Sequence, residues 1–167
     1  MILIASASAD WGIGKDNELL FRVSADMRRF RRLTSGNVVV MGRRTLESMP
    51  GRRPLPDRVN IVLSRDPSFA PDGVTMARSV PDLLDQLRDT GQKKTFVIGG
   101  AAVYETLLPY CDTAYITRFW AQAEADRFLP DLSASPDWAL RERSPLYVQD
   151  GLYYTFDTYI RKGDALS

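Results

Sequence analysis

Residues 95–109, TFVIGGAAVYETLLP, decide the fold class of this chain. The run Thr95–Ile98 is short, apolar and rich in β-branched and aromatic residues, which predicts a buried strand. Gly99-Gly100 breaks that strand, and the residues after it predict a helix over 101–108 that Pro109 ends. A further apolar run follows a few residues later. Two strands joined through a helix in this way are predicted to run parallel in one sheet.

The same alternation of short apolar runs and helix-period segments continues along the chain. It predicts an α/β fold with a largely parallel sheet and helices on both faces. The last predicted strand follows a long irregular stretch, and we expect it to run antiparallel at an edge. The predicted strands are 1–9, 37–42, 59–64, 74–77, 95–98, 114–119 and 152–160; the predicted helices are 24–33, 43–49, 80–89 and 101–108; residues 10–23 and 50–57 are predicted loops.

Two serines stand where helices are predicted to begin. A capping serine accepts a hydrogen bond from a backbone N–H that the first helical turn leaves unpaired. Ser24 is predicted to cap the helix that reaches to about Leu33, and Ser79 with Asp82 predicts a capping box for the helix near 80–89.

Length and charge limit the class of protein. The 167 residues indicate one domain, since about 150 residues per domain is typical, and with no repeat or linker visible we predict a single domain over 1–167. Lys and Arg number 22 against 21 Asp and Glu, a net charge of +1, which argues against nucleic acid or a membrane surface as the main partner. The N-terminus lacks a basic leader, and no apolar run approaches the roughly 18 residues that span a bilayer, so we expect a cytoplasmic protein.

The chain contains no histidine and one cysteine, Cys111. This composition excludes a Ser-His-Asp triad, a Cys-His dyad, and metal sites built from His or Cys ligands, and we predict no metal. An enzyme built from this chain must use carboxylates, tyrosines, basic residues or a cofactor.

Asp26 lies within the apolar stripe of the helix that starts at Ser24. At about 100° per residue it falls between Phe30 and Leu33. A carboxylate there needs a partner or a chemical role. The alternative is that an aspartate in the first turn favours the helix dipole and faces water, and the residues alone leave both interpretations open. The arginines of this helix are predicted to form a solvated outer face: Arg28, Arg29, Arg31 and Arg32.

Basic and hydroxyl residues follow several predicted strands. Arg43-Arg44-Thr45 comes after the strand at 37–42, and Ser64-Arg65 ends the strand at 59–64. Ligands of open α/β sheets bind beyond the carboxyl ends of the strands, and arginine suits phosphate there. With the Gly99-Gly100 turn, these residues predict a phosphorylated ligand of dinucleotide size. Residues 12–17, GIGKDN, lack both the third glycine of a Rossmann fingerprint and the Ser/Thr of a P-loop.

In order and spacing these segments resemble dihydrofolate reductase over nearly the whole chain. The segments that carry the resemblance are 4–7, 12–17, 25–27 with Phe30, 40–45, 47–48, 53–56, Arg58, 60–65, 97–100 with 104–105, and Asp126 with Pro130. The resemblance implies a single-domain, mostly parallel eight-stranded sheet with an antiparallel C-terminal edge strand and flanking helices. It also implies NADPH as cofactor and an oxidoreductase that converts 7,8-dihydrofolate to 5,6,7,8-tetrahydrofolate for one-carbon metabolism. Hydride would pass to pterin C6 with protonation of N5, in a monomer that antifolates inhibit.

The resemblance also implies roles for particular residues. Asp26 would be the ionisable group of the pterin pocket, with Thr117 as its partner, and Arg58 would bind the glutamate tail of the substrate. Apolar side chains would line the pterin and benzoyl groups: Ile4, Leu19, Phe30, Met49 and Leu55. Residues implied to contact the cofactor are Ala5, Ser6, Ile13, Gly14, Gly99, Gly100 and Tyr104, with Arg43, Arg44, Thr45, Ser64, Arg65 and Arg78 at its phosphates.

Two alternatives remain beside this interpretation. One is a reductase of the same fold that acts on a ribosylamino-pyrimidine in riboflavin synthesis, whose phosphorylated substrate would favour a basic pocket. The other is an NADPH-binding module without turnover, which would need neither Asp26 nor Arg58.

The chain departs from the family pattern at two places. Leu19-Leu20-Phe21 stands where many members have Leu-Pro-Trp, which removes an indole N–H and a backbone restraint. Ala101-Ala102 follows Gly99-Gly100 where some members have glycine and then arginine. Loop closure and the phosphate contacts are therefore where we expect this chain to differ.

Overall fold

A computed structural model describes residues 1–163 of the chain. Its strands are β1 (Ile2–Ala7), β2 (Gly12–Gly14), β3 (Val38–Gly42), β4 (Val59–Leu63), β5 (Thr75–Ala77), β6 (Thr95–Gly99), β7 (Thr113–Phe119), β8 (Arg127–Phe128), β9 (Trp138–Arg143), β10 (Tyr147–Gln149) and β11 (Leu152–Arg161). Its α-helices are α1 (Ser24–Thr34), α2 (Arg43–Ser48), α3 (Val80–Leu87) and α4 (Ala101–Leu107). Single 3₁₀ turns occupy Pro50–Arg52, Arg88–Thr90 and Leu108–Tyr110.

One twisted sheet organises these elements. Its strands follow the order β10-β11-β7-β1-β6-β3-β4-β5, with β9 as a further partner of β11. The pairs from β7 through β5 are all parallel, and β11 runs antiparallel to β7. The predicted α/β fold, mostly parallel with an antiparallel strand from the C-terminal segment, is therefore confirmed.

Helices and loops cover the sheet on both faces, as the apolar runs predicted. Along β3, Val38 and Val40 belong to one core cluster, whereas Val39 and Met41 belong to the other. Successive side chains of a strand point to opposite faces, so a run that is apolar at every position must be buried on both sides. No helix within residues 1–163 has both the length and the apolar character needed to cross a bilayer.

The exposed strands are where the sequence-based prediction is incomplete. Residues 10–23 were predicted as a loop, but β2 lies within them and pairs with β8. Strands β8, β9 and β10 were not predicted. Of these, β9 and β10 pair with the side of β11 that faces away from β7. Most of their side chains face solvent, so they show no apolar pattern that would reveal a strand.

The two serines behave differently. Ser79 Oγ accepts a hydrogen bond from the backbone N–H of Asp82 at 3.1 Å, which confirms it as the cap of α3. The Asp82 carboxylate accepts a hydrogen bond from the N–H of Arg78 rather than from that of Ser79. The second bond of the predicted capping box is therefore made with the residue before the cap. Ser24 is already the first helical residue of α1, the cap position is Val23, and the Ser24 hydroxyl accepts a bond from Gln149 Nε2. The prediction of Ser24 as a cap is wrong by one residue.

These two serines give a matched test of the helix starts. Ser79→Ala leaves the Asp82 N–H without its partner and should lower the free energy of unfolding by about 0.5–2 kcal/mol. Ser24→Ala removes the same group from the start of α1 without removing a cap. It should lower the free energy of unfolding by much less than Ser79→Ala does. Denaturant unfolding of both variants measures the difference. An equal loss in both would contradict the assignment of the caps.

Candidate active site

The carboxyl ends of four neighbouring strands form the first half of the candidate site. Strands β6, β3, β4 and β5 are adjacent and parallel, so their ends meet at one edge of the sheet. Topology thus brings together residues that are far apart in sequence. The residues that follow or end these strands are Gly99 and Gly100 (β6), Arg43, Arg44 and Thr45 (β3), Ser64 and Arg65 (β4), and Arg78 (β5).

Arg43 is held by acidic and aromatic neighbours at this edge. Its Nε donates to Glu47 Oε1 at 2.6 Å and its Nη1 donates to Asp66 Oδ2 at 2.8 Å. The guanidinium also lies 4.4 Å from the centre of the Phe69 ring. Hydrogen bonds from Ser68 lower the pKa of Asp66, with Arg43 adding to the effect. The guanidinium is thereby fixed in orientation, while Arg44 and Arg65 remain exposed.

Arg78 makes two hydrogen bonds within the protein at this edge. Its Nη2 donates to the carbonyl of Phe69 at 2.9 Å, and its Nη1 donates to the carbonyl of Asp66. These two bonds tie Arg78 to the backbone between β4 and β5, so it supports the segment that carries Asp66. The contact of Arg78 with a phosphate stays a prediction.

The turn after β6 brings backbone close to a tyrosine. The peptide bond between Gly99 and Gly100 is cis, and Gly99 has a φ of 123°. A Cβ added to Gly99 would lie 3.3 Å from the Tyr104 hydroxyl, so glycine suits both the backbone conformation and the space. Tyr104 Oη donates to the carbonyl of Ile4 at 2.7 Å, and burial raises the pKa of this phenol. This bond links α4 to β1.

Asp26 forms the centre of the second half of the site. Thr117 Oγ1 donates to Asp26 Oδ1 at 2.6 Å, and this bond joins α1 to β7. Burial raises the pKa of the Asp26 carboxyl, while the Thr117 hydroxyl and the charge of Arg29 act in the opposite direction. Of the two interpretations left open by the sequence, the one with a partnered carboxylate on the inner face is confirmed. A fully hydrated aspartate that only favours the helix dipole is excluded.

Apolar side chains gather beside this carboxylate. Phe30, Met49 and Leu55 pack against the core cluster that contains Ile4. The remaining member of the predicted apolar wall, Leu19, lies in the loop before α1 and is 46% exposed. The structure thus brings four of the five predicted wall residues into one cluster and leaves Leu19 at the surface.

Arg58 is positioned by groups from two segments. Its Nε donates to the carbonyl of Pro56 at 2.8 Å, and its Nη1 donates to Thr34 Oγ1, at the end of α1, at 3.1 Å. Partial burial, together with the nearby charge of Arg31, lowers the pKa of Arg58. Asn60 shapes this turn and was not among the predicted residues, although an amide inside an apolar strand was a visible signal.

Asn60 is 4% exposed and its side chain makes three hydrogen bonds to backbone. Its Oδ1 accepts from the N–H of Leu55 at 2.9 Å. Its Nδ2 donates to the carbonyls of Leu55 at 2.8 Å and Arg58 at 3.1 Å. This amide therefore sets the path of the chain that carries both Leu55 and Arg58.

The loop that carries Ile13 and Gly14 is attached to the segment around β8. The N–H of Asp126 donates to the carbonyl of Gly14 at 3.0 Å, and Asp126 Oδ2 accepts from the N–H of Asp16 at 3.1 Å. Lys15 Nζ lies 2.6 Å from Glu124 Oε1, although both side chains are solvent-accessible and the pair is screened. Ala5 and Ser6, the other predicted neighbours of the nicotinamide, lie on β1.

The departure at Leu20-Phe21 is accommodated by apolar packing. The Phe21 ring lies 5.1 Å from that of Phe119 and belongs to a cluster with Val23 and Tyr154. Leu20 approaches Gly12 closely enough that a Cβ there would lie 3.1 Å from Leu20 Cδ1. The loop is thus anchored by side-chain contacts of Leu20 and Phe21.

One arginine of α1 departs from the predicted solvated face. Arg28, Arg31 and Arg32 are exposed as expected, but Arg29 is half-buried. Its guanidinium lies 4.4 Å from the centre of the Phe156 ring and 5.5 Å from that of Tyr115. Arg29 lies three positions after Asp26, and residues at this i, i+3 spacing share a helix face. The prediction for Arg29 is therefore wrong, and the helical spacing itself was the signal that was overlooked.

The raised pKa of Asp26 predicts how stability depends on pH. The pKa of this carboxyl is higher in the folded chain than its ordinary value of 3.8, so the folded state binds the proton more tightly than the unfolded state does. The free energy of unfolding of the wild-type protein therefore falls as pH rises from 3.8 through the raised pKa of the folded state. Asp26→Asn has no such loss. We expect the variant to be more stable than wild type at neutral pH, with the difference disappearing in acid.

Denaturant unfolding at several pH values measures this difference. The matched control is Asp137→Asn, because Asp137 is exposed on the surface and the same substitution there removes no buried carboxylate. A variant of Asp26 that is less stable than wild type above neutral pH would contradict the assignment of a burial cost to this carboxylate.

Comparison with known proteins agrees with this geometry. The family model described as dihydrofolate reductase matches residues 1–161. The dihydrofolate reductase of Bacillus subtilis is 41% identical over 155 residues, which is 92% of this chain and 89% of that protein. The type 3 dihydrofolate reductase of Salmonella typhimurium is 42% identical over 142 residues, 85% of each chain.

A solved structure gives the same result. Dihydrofolate reductase from Enterococcus faecalis, complexed with NADP(H) and RAB-propyl, superimposes with a TM-score of 0.84 at 31% identity, covering 97% of this chain and 96% of that one. The family model matches nearly the whole sequence, the Bacillus subtilis relative is 41% identical over 92% of this chain, and the fold of the solved relative is shared. This chain therefore belongs to the dihydrofolate reductase family.

Proposed function

We propose that the chain catalyses the NADPH-dependent reduction of 7,8-dihydrofolate to 5,6,7,8-tetrahydrofolate. The observation that carries this proposal is the Asp26–Thr117 pair, a partnered carboxylate beside an apolar cluster and near the basic edge of the sheet. Binding a dinucleotide alone would not require a carboxylate whose ionised form is disfavoured by burial. Family membership and the NADP(H) bound to the Enterococcus faecalis relative support the same reaction.

The residues at the carboxyl edge of the sheet fit an anionic dinucleotide. Arg44 and Arg65 are exposed there, and Arg43 is oriented by its acidic neighbours. The hydroxyl groups of Thr45 and Ser64 add uncharged donors, and the glycine turn after β6 lets a ligand approach the backbone. In this assignment Arg78 also acts through the segment that it supports.

The apolar cluster and Asp26 fit a pterin with a charged tail. The Asp26 carboxylate would accept hydrogen bonds from the pterin 2-amino group and N3, while Ile4, Phe30, Met49 and Leu55 would contact the ring and the benzoyl group. Arg58 would bind the α-carboxylate of the glutamate tail, since its guanidinium is already oriented by Thr34 and Pro56. Leu19 would join this wall from the loop.

The chain's own residues bind, orient and shield the reacting groups. Bound NADPH supplies the hydride that the protein itself cannot provide. Ala5, Ser6, Ile13 and Gly14 would border the nicotinamide and keep bulk water from it. Asp26 would bind the edge of the pterin that is remote from N5. We therefore assign the role of proton donor to a water molecule. The negative charge of Asp26 would make N5 more basic and thereby favour its protonation.

Four features of the proposal concern the whole molecule. We propose that the enzyme acts as a cytoplasmic monomer that antifolates inhibit and that does not bind nucleic acid. The near-neutral charge of +1 supports the last point, because binding to phosphate backbones requires a clustered positive field. Light scattering of the purified protein tests the oligomeric state.

The first functional prediction concerns Asp26. Asp26→Asn keeps the size of the side chain and a hydrogen-bond acceptor for Thr117 but removes the charge, so hydride transfer at neutral pH should fall by about 10²–10⁴-fold. NADPH should bind as in wild type. The measurement is the loss of NADPH absorbance on addition of dihydrofolate, with NADH in parallel.

Each outcome of that assay has a meaning. Unchanged turnover by Asp26→Asn would contradict the role of this carboxylate. Wild-type protein that binds NADPH but reduces a phosphorylated ribosylamino-pyrimidine instead of dihydrofolate would show the riboflavin-type activity. Wild-type protein that binds NADPH and reduces neither substrate would be a binding module.

The second functional prediction concerns Arg58. Arg58→Gln removes a charge-assisted hydrogen bond of about 1.5–3 kcal/mol to the substrate tail, so KM for dihydrofolate should rise roughly ten- to hundredfold while kcat changes little. A dihydropterin without the glutamate tail should be reduced equally by variant and wild type. Arg53→Gln, a change at an exposed arginine of the same turn, is the control and should leave KM unaltered. Equal losses with both substrates would contradict the assignment.

A further inference from the structure

Arg29 is a charged residue that the proposed mechanism does not use. It lies half-buried on α1, with its guanidinium over Phe156 and Tyr115. Because the charge is partly removed from water, burial lowers the pKa of Arg29. Within residues 1–163, it forms no ion pair closer than 4.0 Å, unlike Arg43 and Arg143. A cation that is removed from water and left without a counter-ion at contact distance requires an explanation.

The register of the sheet explains where this cation lies. Thr117 on β7 faces Phe156 on β11, and Tyr115 is two residues before Thr117, so the three side chains point to the same face of the sheet. Thr117 holds the Asp26 carboxylate, and its two neighbours hold the Arg29 guanidinium. Helix α1 therefore places a carboxylate and a guanidinium side by side on one surface.

Aromatic contacts fix the position of the charge without neutralising it. A guanidinium over an aromatic ring is attracted by the electron density of the ring face, and it keeps its full positive charge. A carboxylate partner, by contrast, would cancel most of the field at a distance. The charge of Arg29 thus still acts on Asp26, and partial burial reduces the screening by water.

Other charged and titratable groups around the pair come from several elements. They act on Asp26 or on Arg29 and do not replace the charge of Arg29, because Thr117 and the two tyrosines carry neutral hydroxyl groups and Arg32 and Glu142 are exposed to solvent. These groups are Arg32 on α1, Tyr115 and Thr117 on β7, Tyr104 on α4 and Glu142 on β9.

We propose that Arg29 is a positioning residue of the active site, a fixed positive charge that sets the pH range over which Asp26 supports reduction of dihydrofolate. This inference rests on the proposed function. Arg29 does not touch the substrate in this assignment. It acts through Asp26, and its place beside the carboxylate on the same helix face is the geometry that supports the role.

The sign of the effect follows from electrostatics. Removal of a fixed positive charge raises the proton affinity of every nearby group, both the Asp26 carboxyl and the N5 atom of a bound pterin. Protonation of Asp26 limits the rate in acid, and loss of the proton from N5 limits it in base. Both limbs of the pH profile should therefore move to higher pH when the charge of Arg29 is removed.

Three variants of Arg29 and one control separate charge from packing. Arg29→Gln and Arg29→Met remove the charge, and Met keeps an apolar side chain against Phe156. Arg29→Lys keeps the charge. Arg28→Gln, at an exposed neighbour on the same helix, makes the same change in net charge. We expect Gln and Met to move the apparent pKa values upward by about half a unit, or roughly threefold in proton affinity, and Lys and Arg28→Gln to move them much less.

Two measurements test the proposal. One is the pH dependence of kcat/KM for dihydrofolate, and the other is the titration of the Asp26 carboxyl by ¹³C NMR in the ligand-free protein. The NMR titration does not depend on turnover, so it tests Arg29 even if wild-type protein fails to reduce dihydrofolate and the proposed function is wrong.

The opposite results would overturn the proposal. They are an unshifted Asp26 titration in Arg29→Gln and Arg29→Met, a shift in Arg29→Lys as large as in Arg29→Gln, or a shift in Arg28→Gln equal to either. The second would assign the effect to packing, and the third to net charge in general. If Arg29→Gln does not fold, the Met and Lys variants carry the comparison.

Discussion

The hydrogen bond from Thr117 to Asp26 is the interaction on which the site depends. A carboxylate turned toward the sheet loses water, and this loss disfavours its charge. One strong acceptor bond offsets part of the cost and fixes the carboxylate relative to β7. Since β7 pairs with β1 at Ser6 opposite Thr117, the same bond also sets the distance from the helix to the strand that would border the cofactor. Helix α1 could not shift without breaking it.

The parallel order of the sheet supplies the remaining constraint. Four adjacent strands end at one edge, and each end is followed by a residue that can bind an anion or let a ligand approach the backbone. Such an arrangement needs no dedicated binding motif, because the topology gathers side chains that are individually unremarkable in sequence. The acidic neighbours of Arg43 show that the edge is not simply basic, since the protein orients its arginines by pairing some of them.

The sequence predicted the buried strands of this structure. It did not predict the exposed strands or the roles of residues that depend on tertiary contacts. The runs around Val38–Met41 and Phe96–Val97 are apolar because both faces are covered, so their pattern revealed the central strands. Strands β8 and β10 face solvent, and no apolar period marks them. Arg29 was misjudged and Asn60 was overlooked for a different reason. The role of Arg29 comes from its contact with Phe156 on β11, and that of Asn60 from hydrogen bonds with the backbone of Leu55 and Arg58. A polar residue on the buried face of a helix or strand indicates that it has a partner, but the sequence does not identify that partner.

A chain without histidine must set the proton affinity of its one central carboxylate by placement alone. Burial makes the Asp26 carboxyl harder to ionise, whereas Thr117 and Arg29 make it easier. Neither extreme would serve the reaction, because a fully hydrated carboxylate would hold a pterin weakly and a fully buried one would stay neutral at physiological pH. The opposing contributions come from separate elements, the apolar cluster, β7 and the next turn of α1. Each can therefore change without rebuilding the others, and the pH range of the enzyme can vary while the fold stays the same.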